Sequence, residues 1–275
     1  MAMNPKLLRP KASGFSPKNI SGLYSWWDAA NANSVTLNSG NVSEWRDLSG
    51  GGRHLSQSTA GNQPAYTTAG RNGRNCLTFS GSSNGSVRLA AAVSSDWEFL
   101  HNGTSQYGIY IVASHTGTSG SGSVGGYINT RVLSASTYNT RGFSMWHDFG
   151  GLAANNNIRA TISASGGLVA RRDLSATGGG VVRAYELLGD PANAISASRL
   201  SLKNNAGASG SNTNGTTTAE AGSAAGILTV GNNVGGTNFQ HLGIICEILI
   251  YKRATAIAST ESSAILAYLA KKWGL

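Results

Sequence analysis

Retaining glycoside hydrolysis needs two carboxylates about 5 Å apart. Twelve Asp and Glu in 275 residues leave few candidates. Glu44 and Asp47 are close in sequence, and Asp96 and Glu98 share a face if their segment, SSDWEF, is extended. Both pairs read as turn or surface acids. No G-x-S-x-G nucleophile elbow occurs. The five histidines (His54, His101, His115, His147 and His241) show no H-x-x-x-H or H-E-x-x-H spacing, so neither a metal nor a cofactor is expected. Asp28, Asn31 and Asn33 offer three oxygens, fewer than calcium takes, and a polar turn is the simpler meaning. Glu247 alone interrupts an apolar run; a buried carboxylate must be paired, here with an arginine or backbone amides. Binding chemistry is better represented. A sugar is held by an aromatic platform and a few convergent polar groups. Trp146, His147 and Asp148 supply these in three residues, and Tyr138, Asn139 and Arg141 precede the same strand. These six are the candidate glycan-binding residues.

The elements that must carry them are strands. Short apolar, β-branched and aromatic runs alternate with Gly, Ser, Asn and Asp clusters from Leu23 onward. Strands are predicted near Asn75–Ser80, Tyr107–Ser114, Gly142–Asp148, Asn157–Ser163, Val181–Leu188, Arg199–Lys203, Ile227–Asn232 and Leu242–Tyr251. Tyr107–Val112 and Leu242–Tyr251 are almost continuously apolar and should be central; Arg199–Lys203 alternates and should have one solvated face. Thr116–Gly126 and Asn204–Gly226 read as long surface loops. A single helix closes the chain, capped by Ser259 or Thr260, with Glu261 in its first turn, Lys271 and Lys272 in its last, and Gly274 ending it. Ile265, Leu266, Leu269, Lys272 and Trp273 form its buried stripe.

Composition agrees with a loop-rich all-β chain. Charged residues make up 12% and there are 37 glycines, against about 25% charged and about 7% Gly in an average domain. That excludes coiled coils, and the 40% hydrophobic content excludes a charged disordered tail. The net charge of +9 suggests nucleic acid, but its distribution does not. Lys6, Arg9, Lys11 and Lys18 fall in the first twenty residues, where no acid occurs, and other basic residues are scattered. Pro5, Pro10 and Pro17 should hold residues 1–20 extended, as an arm that anchors to an acidic protein partner. Cys76 and Cys246 each sit in an apolar run and read as buried free thiols; two cysteines make no disulfide framework or zinc motif. No stretch approaches about 18 apolar residues, so no membrane association is expected.

Two blocks resemble a known family. The first, Leu23–Gly85, carries L-x-x-W-x-D-A, then V-x-x-W-x-D-x-S-G-x-G, P-x-Y and N-G-x-x-x-x-x-F-x-G. The second, Gly243–Leu275, carries G-x-I-x-E-I-x-I-Y-x-R and Y-L-x-x-K-W. Both are similar to the concanavalin A-like lectin/glucanase domain, of the laminin-G-like type common in bacterial surface and phage virion proteins. The resemblance implies one jelly-roll β-sandwich over residues 21–275, with first and last strands adjacent and the strand of Cys76 near that of Cys246. Glucanases of this fold carry E-x-D-x-E or E-x-D-x-x-E on one strand, and neither is present. In the matched blocks Trp27 and Trp45 read as core, and Asp28 and Asp47 as turn caps. The expectation is therefore a non-enzymatic structural protein of a phage virion, a capsid decoration, head fibre or tail component. It would be homo-oligomeric, made in the host cytoplasm and held to other virion proteins by residues 1–20. The alternatives are an adhesin that binds host surface polysaccharide and a glycoside hydrolase.

Overall fold

The computed structural model describes residues 14–80, 87–116, 124–131, 140–149, 156–175, 180–232 and 240–275, with the side chains of 124, 148, 149, 156 and 212–214 left out. The strands found there are β1 (Leu23–Asp28), β2 (Val35–Asn38), β3 (Asn41–Trp45), β4 (Leu55–Ser56), β5 (Ala65–Arg71), β6 (Arg74–Ser80), β7 (Leu89–Ala91), β8 (Gln106–His115) and β9 (Val124–Asn129). They continue with β10 (Gly142–Phe149), β11 (Asn156–Ala164), β12 (Gly167–Ser175), β13 (Arg183–Gly189), β14 (Leu200–Asn204), β15 (Ser211–Asn214), β16 (Thr229–Val230) and β17 (Leu242–Arg253). Helix α1 (Phe99–Asn102) is a single turn, and α2 (Ser259–Trp273) closes the chain.

All pairings are antiparallel and resolve into two layers. One runs β14–β13–β8–β17. β17 then pairs β6 through Leu242–Ile245 and β1 through Glu247–Tyr251, and β6 pairs β5. The other runs β2–β3–β4–β7–β16–β9–β10–β11–β12–β15. The layers join where Asn41 of β3 pairs Ala65 of β5.

Between them lies one apolar core: Trp27, Ile109, Ile111, Ile248 and Ile250 from the first layer meet Phe143, Met145, Ile158 and Ile162 from the second. The other side of the first layer is covered by α2. Tyr110, Val112, Leu249 and Tyr251 pack there against Ile265, Leu269 and Trp273. β8 and β17 are thus buried on both faces, which is why their sequences are continuously apolar. Each large side chain so buried contributes roughly 1.5–3 kcal/mol. β14 alternates as its sequence requires, with Leu200 and Leu202 buried and Lys203 exposed.

Helix α2 starts differently from expectation. Ala258 is the capping residue and has no side-chain acceptor; the Glu261 carboxylate takes the Ala258 N–H instead, at 2.9 Å, and is held by Arg253 at 2.5 Å. Gly274 ends the helix at φ 63°, left-handed as predicted. The loop expected over residues 204–226 contains β15, and that over 116–126 gives way to β9 at Val124.

Of the arm, only its end lies within the described residues. Phe15 packs on Tyr268 with ring centroids 5.5 Å apart, and the Tyr251 hydroxyl donates to the Pro17 carbonyl at 3.0 Å. Lys18 is exposed; Lys6, Arg9 and Lys11 lie outside the described residues.

Candidate functional site

Successive residues of a strand face opposite sides of its sheet. In β10, Phe143 and Met145 enter the core, so Ser144 and Trp146 face outward. The register extends that outer face in rows. Ser144 pairs Thr161, which pairs Arg171; Trp146 pairs Arg159, which pairs Asp173. Arg131, just past β9, reaches the same face and donates to Thr161 Oγ1 at 3.1 Å and Ser163 Oγ at 2.9 Å. Arg159 grips Asp173 with Nε at 2.7 Å and Nη2 at 3.3 Å, while Arg171 Nε donates to Asp173 Oδ2 at 2.8 Å. Burial pushes the Asp173 carboxyl up, but hydrogen bonds from the two arginines outweigh it and hold it below the usual carboxylate range.

This face is polar yet largely buried. Arg131, Ser144, Trp146, Arg159, Thr161 and Ser163 are each no more than 1% exposed. Solvent reaches it at Arg171, Asp173 and Ser211. Among the described residues, the Trp146 indole N–H and the Ser144 hydroxyl have no hydrogen-bond partner. Three arginines stand against Asp173. Asp148, next in the register, is the only other acid on these strands, so cations exceed anions there.

The six predicted glycan residues are divided by this geometry. Trp146 lies at the centre of the outer face, but it is buried and is not an exposed platform. His147 faces the opposite way, into the sandwich, because it is the next residue along the strand. Arg141 leaves the row and binds the Glu220 carboxylate and the Ser223 carbonyl. Glu220 also accepts from the Ser165 N–H and hydroxyl; with Arg141 as the larger cause, its pKa is lowered to about 2. The Asp148 side chain, Tyr138 and Asn139 lie outside the described residues.

Sequence spacing gave no sign of the histidine cluster. His115, His147 and His241 meet between the layers, with His115 ring centroids 5.1 Å from each of the other two. Burial lowers the His241 pKa to about 3 and the His115 pKa to about 2, so all the charge is off these two rings at neutral pH.

The carboxylates have structural partners. Asp47 Oδ1 accepts the N–H groups of Trp26 and Ser49 at 2.9 Å each, and Asp28 Oδ1 that of Ala30 at 3.0 Å. Trp27 and Trp45 are core. Glu44 pairs Arg46 rather than Asp47. Asp96 and Glu98 sit in a 3-10 turn and its cap, not on a strand, so the assumed spacing fails. Glu247 is fully buried, and its partner is neither an arginine nor a backbone amide. It accepts from Trp26 Nε1 (2.8 Å), Tyr268 OH (2.9 Å), Trp273 Nε1 (2.7 Å) and Lys272 Nζ (2.8 Å). Lys272 also holds Asp28 at 2.6 Å. Burial raises the Glu247 pKa, Asp28 adds to the rise, and Lys272 opposes it.

No family model and no curated protein matches the chain. Solved structures do. The chain matches Trypanosoma rangeli sialidase in complex with the inhibitor DANA at 10% identity and a TM-score of 0.55, over 90% of this chain and 33% of that one. A second Trypanosoma rangeli sialidase structure matches at 9% identity and 0.53, over 92% and 33%. The receptor-binding domain of botulinum neurotoxin mosaic serotype C/D matches at 8% identity and 0.57, over 90% and 51%. The likeness is one of fold. The chain spans a third of the sialidase's length and half of the toxin domain's. These matches correct the expectation of a non-enzyme. Two of the three are sialidases, so the fold occurs within an enzyme chain, and a missing E-x-D-x-E motif does not exclude catalysis.

Proposed function

We propose that this chain is a carbohydrate-binding module of the concanavalin A-like kind, and that its ligand is a sugar bearing an acidic group. The observation that carries this reading is the outer face of β10–β12. It gathers three arginines, the Asp173 carboxylate that two of them hold, and an indole N–H and a hydroxyl that have no partner among the described residues. Guanidinium groups bind carboxylates and sulfates in fixed bidentate geometry. Hydroxyl-rich rings fit the remaining donors. The ligand enters where the face is open, at Arg171, Asp173 and Ser211. The fold likeness to a sialidase and a receptor-binding domain supports a sugar-facing role.

The test is a glycan array of neutral and acidic sugars followed by calorimetry. The acidic members should bind, and Arg171→Ala, at the open edge, should weaken them about 10- to 100-fold by removing one charge-assisted contact. Equal binding of neutral sugars, or full affinity in R171A, would remove the reading. The same incubations are assayed for released sugar, which reports hydrolysis directly.

The setting we propose is a phage virion. Residues 1–20, with Lys6, Arg9, Lys11 and Lys18, would dock on acidic surfaces of other virion proteins, and the module would be displayed as a homo-oligomer. Support comes from the matched sequence blocks and the clustering of basic residues in an acid-free segment. Phe15 and Pro17 pack on the body, so the informative deletion is residues 1–13. Particles should lose the truncated chain; unchanged incorporation would refute anchoring.

A further inference from the structure

We infer that Cys76 and Cys246 form a modification site: they join as an intrachain disulfide, clamping β6 to β17, when the chain folds in the presence of a small-molecule disulfide oxidant. The β6–β17 ladder ends on the pair Leu77–Ile245, and Cys76 and Cys246 are the next residues of the two strands. The two Sγ atoms lie 2.7 Å apart although the residues are 170 positions apart in sequence. That is closer than the roughly 3.5–4.0 Å at which even unbonded carbon atoms rest. Both side chains are fully buried.

The chemistry balances with oxidised glutathione as the electron acceptor. One cysteine thiolate attacks a glutathione sulfur, forms a mixed disulfide and releases one glutathione thiol. The second cysteine thiolate attacks the protein sulfur of that mixed disulfide and releases the second. Two cysteine thiols are oxidised, one glutathione disulfide is reduced, and the two cysteine protons pass to the departing glutathione thiolates.

Timing follows from burial. In the folded chain no oxidant reaches the sulfurs, and burial, with Cys76 beside it, raises the Cys246 pKa and starves the pair of thiolate. The bond therefore forms during folding, before β6 and β17 close, and the folded reduced protein resists the same reagent.

The full chain is denatured and refolded with either a glutathione redox mixture or a reductant. Oxidative refolding should lower the intact mass by about 2 Da for two lost hydrogens, remove both titratable thiols, and yield one linked peptide containing Cys76 and Cys246. The thermal midpoint should rise by roughly 10 °C, because the bond closes a very long loop. A C76S/C246S double variant, its fold checked by circular dichroism, should show the same midpoint in both mixtures. Two free thiols after oxidative refolding, or disulfides only between chains or to glutathione, would overturn the inference.

Discussion

Lys272 is the residue on which the most buried charge depends. Among the described residues its ammonium is the one cation touching both Asp28 and Glu247, which face each other across β1 and β17. Removing one partner of a buried ion pair leaves an uncompensated charge and typically costs about 3–5 kcal/mol. Lys272→Met should lower the urea unfolding free energy by about that much, and adding Glu247→Gln should recover part of it. A loss under about 1 kcal/mol would mean that the two indoles and the Tyr268 hydroxyl suffice. Glu247 was readable in sequence as a carboxylate needing a partner, but Lys272 was not readable as that partner. It arrives on a different element, set by where α2 docks. Trp146 and His147 show the converse. The period-2 rule already sends consecutive strand residues to opposite faces, so the separation of Trp146 from His147 was legible in the sequence.

At the scale of elements, β17 is the hub of the first layer, and Gly243 sits near its start. Its φ is +146°, and a Cβ there would lie 2.3 Å from the Ser114 carbonyl oxygen, a backbone atom that cannot turn aside. Gly243→Ala should cost about 1–3 kcal/mol through strain at this crossing. Leu242→Ala, at a partly exposed neighbour, should cost less; thermal midpoints of the two variants check this. The glycine heads the second sequence block, Gly243–Leu275, and this crossing accounts for a glycine there. Long apolar strands such as β8 and β17 were legible because both faces are buried. β2, β4 and β15 were not, since short polar strands owe their shape to the neighbours they pair with. The outer face of β10–β12 stayed hidden for a related reason. Arg131, Arg159 and Arg171 are unremarkable singly, and only the register of three strands aligns them.

At the scale of the whole molecule, two layers close over neutral histidines. An unfolded histidine titrates near 6.5. Folded His241 titrates at about 3 and His115 at about 2, so the unfolded chain binds more protons throughout the interval. Stability from this source is therefore complete above about pH 6.5 and drains away as the pH falls toward 3. Each group can contribute up to about 1.4 kcal/mol per pH unit there. Unfolding free energies at pH 7 and pH 4.5 should differ accordingly, and His115→Gln should flatten the slope. An unchanged slope in that variant would place the acid sensitivity elsewhere. The all-β class and the terminal helix were legible from composition and periodicity. Which histidines meet was not, because spacing along the chain carries no information about contacts closed by a sandwich.

The layered burial of tryptophan gives the molecule an optical signature. Trp27, Trp45 and Trp97 lie in the central core, and Trp273, the last residue of α2, is buried between the helix and the first layer. Trp146 alone faces outward from the second layer, with the Arg159 guanidinium carbon 5.8 Å from its ring centroid. Emission of the folded chain should be blue-shifted as a whole. The difference spectrum between the parent and Trp146→Phe isolates this one indole. A ligand that engages the arginines should brighten or shift that component and leave the other tryptophans unaltered, so the candidate site carries its own fluorophore.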